Sequence, residues 1–493
     1  MNIYNLTVST IVAAVATLLA LGGGTVQAAT LCVNPRGTGT CFSSIQAAVD
    51  TAHDGDTIKV APGTYAEQVM IDGKSVTIRG AGNGTIIRPS APATLTSIYT
   101  YPAAGVFWPS AISASIIIVK DAPPAGVTIR DLKVDGANVI RLPLTGADRL
   151  AGILYGESAG TIRNVTVDSI KTAGYADRTH AIDLIAATHA VSVEIFDSRI
   201  TDFARNGVVA DGGRLTANLH DNIITGPPLA GTVQVPNGIV FISGAGGNAI
   251  GSTIRRLHYI NAATSFRSVG IMMFTTDLKP VVIENNNVHD VDDGVRPSNG
   301  GIIRNNSLHG NGTGIVFESG ALNNHVVDNS IRRNAHGIQI NGVLNPNVDG
   351  QDPPGTGNVA HNNCIVRNTS DGVLSYDNTA MFDATNNWWG RRSGPGGIGT
   401  GGGDSVGLYV DFTPWLLRSR SCGDEDKDDK DGDDKDEDHK DGDHKDEVHK
   451  DGDHKDGDHK DGDHKEFRRE SSTIKSLDEF RLALWFHARE LYD

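Results

Sequence analysis

Two groups of ionisable residues in this chain have the types that carbohydrate chemistry uses. The first gathers Asp177, Arg178, His180 and Asp183, with Arg205 further on. The second gathers Asp290, Asp292, Asp293 and Arg296, with His336, Gln339 and Asp371 further on. Hydrolysis of a glycosidic bond needs two carboxyl groups roughly 5 to 9.5 Å apart. Elimination or epimerisation of a uronic acid needs instead a base and a cation that holds the sugar carboxylate. In the second group Asp293, Arg296, His336 and Asp292 are the catalytic candidates, with Gln339 and Asp371 beside them for substrate binding. In the first group Asp183, His180 and Arg178 are substrate-binding candidates. Exposed Asp, Arg and His on a sheet face are also ordinary solvated surface, so residue types alone leave a non-catalytic reading open.

What brings such residues together is a repeat. Segments such as LHDNIITG (219–226), RNNSLHGNGTGIVF (304–317) and DNSIRRNAHGIQI (328–340) share one frame: an Asn, an aliphatic residue two positions on, then a Gly followed by an alternating apolar triplet. The glycine recurs at Gly152, Gly207, Gly238, Gly270, Gly294, Gly314, Gly337 and Gly372, with Ala181 in the same role, and the pattern reads it as a turn. Its shortest spacings, 20, 23 and 24 residues, match one coil of a β-solenoid. The first and third residues after each glycine should point inward and the second outward. The outward column then runs Leu154, Asp183, Val209, Val240, Met272, Arg296, Val316, Gln339 and Leu374, and is expected to face solvent. Asn222, Asn286, Asn306, Asn329 and Asn363 fall in register and read as a structural ladder that satisfies irregular corners. No 3.6-residue periodicity crosses these rungs, which excludes a helical repeat. About eleven or more coils, with strands of three to five residues, should lie between residues 55 and 390.

The formal charge of −16 is unevenly placed. Residues 424–465 hold 21 acids and 9 lysines, a net of −12, which leaves −4 for the rest. That balance gives no basic field for nucleic acid. Residues 1–29 read as a signal peptide, with an apolar stretch from Val8 to Leu21 and the small-residue cleavage pattern Val26-Gln27-Ala28. The apolar run is short for a membrane span, and the mature chain is expected to carry none. Residues 30–420 form the solenoid. Residues 421–469 are an acidic Asp/Gly/His/Lys repeat without the means to form a core. Its histidines, among them His444, His454, His459 and His464, offer loose ligation to a divalent ion, calcium or zinc. Residues 470–493 read as an amphipathic helix, with Ser476 and Glu479 as a capping box, that docks on its own protein or on a partner. Export permits disulfides. Cys32 and Cys41 flank a short turn, which leaves Cys364 and Cys422; four cysteines allow three connectivities, and this pairing is the preferred one.

Residues 41–80, CFSSIQAAVDTAHDGDTIKVAPGTYAEQVMI followed by KSVTIRGAG, resemble the opening of pectin-lyase-like right-handed β-helix proteins. There a short amphipathic helix caps the first coil, here with Ser43 or Ser44 as its cap and Ile45, Ala48, Val49 and Ala52 buried. The segment TNNWWGRRSGPGG with VDFTPWL (385–416) is similar to the closing signature of exported β-helix proteins, including the family associated with nitrous oxide reductase maturation. Trp388 and Trp389 would plug the last coil. The resemblance implies an all-β fold, a single right-handed parallel β-helix, and says little of activity. The catalytic segment of pectin methylesterases is missing, and of the polygalacturonase set only the Asp292-Asp293 pair has a counterpart.

The expectation is a secreted or periplasmic β-helix protein that binds a polysaccharide. If it is an enzyme, it is a lyase, a hydrolase or an epimerase. A non-catalytic surface or structural role, or a periplasmic accessory role handling metal through the tail, stands as the alternative. Since Asp293, Arg296, His336 and Gln339 are expected to face solvent, Asp293→Ala and His336→Ala should leave stability almost unchanged.

Overall fold

The structure is a computed structural model. It describes residues 27–90, 95–139, 147–171, 178–228, 234–259, 266–274, 279–318, 320–342, 355–418 and 422. Residues 1–26 of the expected signal peptide, Asp177, the histidine tail and the expected C-terminal amphipathic segment lie outside the described residues. No helix among the described residues is long and apolar enough to cross a membrane.

Each coil contributes up to three strands. One set, which includes Leu150–Gly156, Thr179–Ile185, Asn206–Asp211 and Asn237–Ile242, stacks into a 13-stranded sheet. The other two sets merge into a 23-stranded sheet. All pairings in both sheets are parallel, as a solenoid requires, and strands run from two to nine residues, longer at the extreme than the sequence frame suggested. Inward residues stack in register: Ile153, Ile182, Val208, Ile239 and Ile271 follow one another up a single column of the core.

Two devices in the sequence make this stacking possible. Asp221, Asn285, Asn305, Asp328 and Asn362 take φ between 55° and 58° at one corner of successive coils. Asn and Asp tolerate this left-handed conformation better than other side chains with a Cβ. The next residue points in and joins the expected ladder. Asn306 donates to Asn329 Oδ1 at 2.9 Å and to the Ile283 carbonyl at 2.9 Å, and Asn329 donates to Asn363 Oδ1 at 3.0 Å. The glycine column is placed differently from the expectation. Its members sit within strands, and none has positive φ. Each glycine lies so close to the next coil that an added Cβ on Gly314 would stand 2.6 Å from the Gly337 carbonyl oxygen. Close approach of backbones, and no turn, demands glycine there.

The ends are closed as the sequence indicated. Helix Ile45–Thr51 is capped by Ser44, with Ile45, Ala48 and Val49 buried against the first coil. Trp389 is fully buried at the far end, while Trp388 packs on the cluster around Cys364 and Cys422. Cys32 pairs with Cys41 and Cys364 with Cys422, with Cα separations of 4.6 and 5.2 Å.

Candidate functional site

The outward column of the 13-stranded sheet does not face solvent over its first coils. Leu154, Val209 and Val240 are at most 1% exposed. The reason lies in a segment with no place in the repeat. Between the strands Thr85–Ile87 and Ile117–Lys120 the chain leaves the solenoid, and Tyr99–Thr100 pairs antiparallel with Ile112–Ser113. This ribbon and its tip lie over the sheet as a lid. Phe107 meets Phe274 edge-on, with ring centroids 5.9 Å apart, and Trp108 packs on His180 at 5.3 Å.

Beneath the lid two of the first group of sequence candidates, His180 and Asp183, come together. His180 and Asp183 flank the small-residue column on one strand, and His180 Nδ1 lies 2.5 Å from Asp183 Oδ1. The other oxygen of Asp183 accepts from the Tyr101 hydroxyl at 2.6 Å. With Asp183 as the acceptor, Nδ1 of His180 is the donor of this bond, and the ring turns its Nε2 away from the carboxylate. His180 Nε2 is buried with no hydrogen-bond partner among the described residues, and so are Nε and Nη1 of Arg149. The Arg149 guanidinium stands 4.1 Å from the centroid of the Trp108 ring, a cation–π contact.

Burial sets the charge states. The Tyr101 phenol is pushed well up, first by desolvation and then by the neighbouring Asp183, so it stays protonated as a donor. Desolvation pulls Arg149 down from its usual range. Asp211, one coil beyond Asp183, receives the Phe107 N–H on both oxygens at 2.9 and 3.0 Å, yet burial pushes its carboxyl up to about 7. Arg178 is half-buried with its Nη1 4.0 Å from Asp148, and Arg205 is buried on the next coil. Tyr101, Trp108, Arg149 and Asp211 escaped the sequence reading because none belongs to the glycine frame. The signal for the lid was there: four aromatics within residues 99–108 of a chain only 6% aromatic.

The second group divides. Asp293 is fully buried, and its two oxygens accept from Arg267 Nε and Arg296 Nη2, each at 2.7 Å. Arg296 reaches Glu318 at 3.2 Å as well. Asp293 was expected on the surface; it is a buried carboxylate at the centre of an ion-pair network whose other members are partly exposed. Asp292 serves other partners: it accepts from the Ser268 and Tyr259 amides at 2.9 and 3.0 Å and meets His258 at 3.1 Å. Asp292 and then Asp290 hold His258 charged, with its pKa pushed up to about 9 against the opposing effect of burial. His336 pairs with Asp371 at 2.8 Å and remains partly exposed, and Gln339 donates to Asn341 at 2.6 Å. The register sets Asp293 and His336 two coils apart, through Thr313, as the frame implied. No group of three or more potential metal ligands occurs among the described residues.

Residues 237–410 match the family described as right handed beta helix region. The body is a right-handed parallel β-helix. Solved structures with a similar β-helix course include the A-module of a mannuronan C-5 epimerase from Azotobacter vinelandii, at 16% identity and a TM-score of 0.47 over 78% of this chain and 98% of that one. The pectin methylesterase from carrot is similar at 14% identity, with a TM-score of 0.33 over 54% of this chain and 76% of that one. DFA-IIIase from Arthrobacter chlorophenolicus A6 is similar at 14% identity and a TM-score of 0.39, over 68% and 83%. No curated protein sequence matches the chain. On the sheet under the lid a buried imidazole, a phenol and a guanidinium converge.

Proposed function

We propose that this β-helix protein acts on a uronate-containing polysaccharide, and that His180 is the base that removes the proton on the carbon next to the sugar carboxylate. One observation supports this reading above the rest: Asp183 binds both Tyr101 and Nδ1 of His180, which leaves a buried imidazole Nε2 with its lone pair free to accept a proton. A carboxylate that orients a histidine in this way also stabilises the imidazolium formed when the proton arrives. Arg149 supplies the cation that offsets charge on the substrate carboxylate as the C–H bond breaks. The electron pair then has two outlets. If the neighbouring glycosidic C–O bond breaks, Tyr101 delivers its proton to the leaving oxygen and an unsaturated sugar end results. If that bond holds, a proton returned to the opposite face inverts the carbon.

Access requires the lid to lift, because His180 and Asp183 are each 1% exposed. A two-stranded ribbon of two-residue strands is weakly stable by itself, and elements that open for ligands come from the low-stability end of a fold. The two disulfides suit an oxidising extracellular setting. A second reading draws on the same burial: the cluster is a clamp that holds the lid and does no chemistry. A screen against uronic-acid and neutral polysaccharides separates the two. Unsaturated ends or inverted uronates formed by the native protein and lost in His180→Ala support the base; no product from any uronic-acid polymer leaves the clamp.

A further inference from the structure

The tripeptide Thr-Ile-Lys/Arg occurs at Thr57-Ile58-Lys59, Thr77-Ile78-Arg79, Thr128-Ile129-Arg130 and Thr161-Ile162-Arg163. The strand register of the 23-stranded sheet stacks all four in step on consecutive coils. The four isoleucines are fully buried. The threonines and the cations therefore form two columns on the outer surface of this sheet, with rungs about 4.8 Å apart. An open groove of about 300 Å³ follows the threonine column, flanked by Arg130 and Arg163 and ending at Glu194 and Phe196 on the next coil, so that the run of cations stops at a carboxylate.

Like charges directly opposite one another on neighbouring strands destabilise a sheet. Here four are stacked, and little offsets them. Asp131 lies 3.6 Å from Arg79 and 3.8 Å from Arg130. Arg163 stands 5.7 Å from the Phe196 ring centroid, and Lys59 has no acidic partner within 4.0 Å among the described residues. The isoleucines already supply the packing, and one carboxylate shared by Arg79 and Arg130 offsets only part of the charge in this column. A partner with a matching row of negative charge offsets the rest.

We propose that the ladder binds a single strand of an acidic polysaccharide laid along the solenoid axis. Each rung offers one cation to a uronate carboxylate and one threonine hydroxyl to the ring hydroxyls. The rung spacing is close to the length of one pyranose unit, so successive carboxylates meet successive cations. This surface lies on a different sheet from the His180 cluster, and its binding does not depend on turnover there.

The test is calorimetric titration of the full chain with hexagalacturonate and with xylohexaose as the neutral control, at low and high ionic strength. Native protein should bind the acidic hexamer, more weakly as salt rises, and should not bind xylohexaose. The double variant Arg130→Gln, Arg163→Gln should weaken binding at least about ten-fold while its thermal midpoint holds or rises, since like-charge repulsion is relieved. His180→Ala should bind the hexamer as the native protein does, which separates this surface from the relay. Unchanged affinity in the double variant, equal binding of xylohexaose, loss of binding in His180→Ala, or tighter binding of a single-stranded oligodeoxynucleotide than of the hexamer would each overturn the proposal.

Discussion

Tyr101 and Asp183, 82 residues apart in sequence, meet through a buried 2.6 Å hydrogen bond. One partner belongs to the lid and the other to a strand of the solenoid, so this bond fastens an irregular insertion to the repeat. Tyr101→Phe keeps the ring and leaves one buried carboxylate oxygen without its donor. The expected cost is about 1–3 kcal/mol, read by urea denaturation, with faster amide exchange confined to residues 99–113. Unchanged stability and exchange would mean the bond does not hold the lid.

Asp211 gives the molecule a pH signature. Its folded-state pKa is raised from 3.8 to about 7 by burial, so the folded protein holds this proton more tightly than the unfolded chain does. The stability it contributes is fully present below about pH 4 and is lost as pH rises through about 7. Asp211→Asn keeps an oxygen to accept the Phe107 amide and removes the titration. The native-minus-variant difference in unfolding free energy should fall across that window, by up to about 1.4 kcal/mol per pH unit. A difference that stays flat from pH 4 to 7 would contradict the assignment.

Asp293 should behave as a structural group. Removing it takes a carboxylate from Arg296, which keeps Glu318, while the half-exposed Arg267 can turn to solvent, so the expected cost is about 2–3 kcal/mol, below that of a fully buried pair. His336, partly exposed with a single carboxylate partner, should cost no more than about 1 kcal/mol as His336→Ala. Thermal melts of the two variants check the contrast; equal and small losses would return Asp293 to the surface role that its sequence position suggested.

The glycine column makes a sharper packing prediction. Gly314→Ala places a Cβ 2.6 Å from a backbone oxygen of the next coil. Backbone must shift, at a cost of roughly 1–3 kcal/mol typical of overpacking. Gly310, where an added Cβ meets nothing within 4 Å but φ is +64°, should respond through strain and not through a clash. Chemical denaturation of both alanine variants measures this.

The repeat was legible because its physics is local and periodic. A coil must turn at fixed places, so Asn222, Asn286, Asn306, Asn329 and Asn363 recur, and inward residues must be apolar, so Ile315 and Phe317 alternate with Val316. The candidate site was half legible. His180 and Asp183 fell in the frame and could be aligned; Tyr101, Trp108 and Arg149 lie outside it, and only three-dimensional folding brings them over the sheet. The same omission misled the exposure of Asp293 and of the aliphatic column, since a frame that describes one coil carries no information about what an insertion covers. The ladder was in plain view as four of the six Thr-Ile-Lys/Arg tripeptides in the chain, yet net charge averaged it away: everything outside residues 424–465 totals only −4.

The most direct measurement of the account is solvent hydrogen exchange at uronate carbon 5. Elimination and epimerisation share proton removal by His180, so oligouronates incubated with the protein in deuterated water should gain deuterium at carbon 5, or form unsaturated ends, as followed by NMR. Native protein should show this, Arg130→Gln with Arg163→Gln should retain it at saturating substrate, and His180→Ala should abolish it. Exchange that proceeds at the native rate in His180→Ala, or no exchange and no unsaturated product with any uronate, would contradict the central claim.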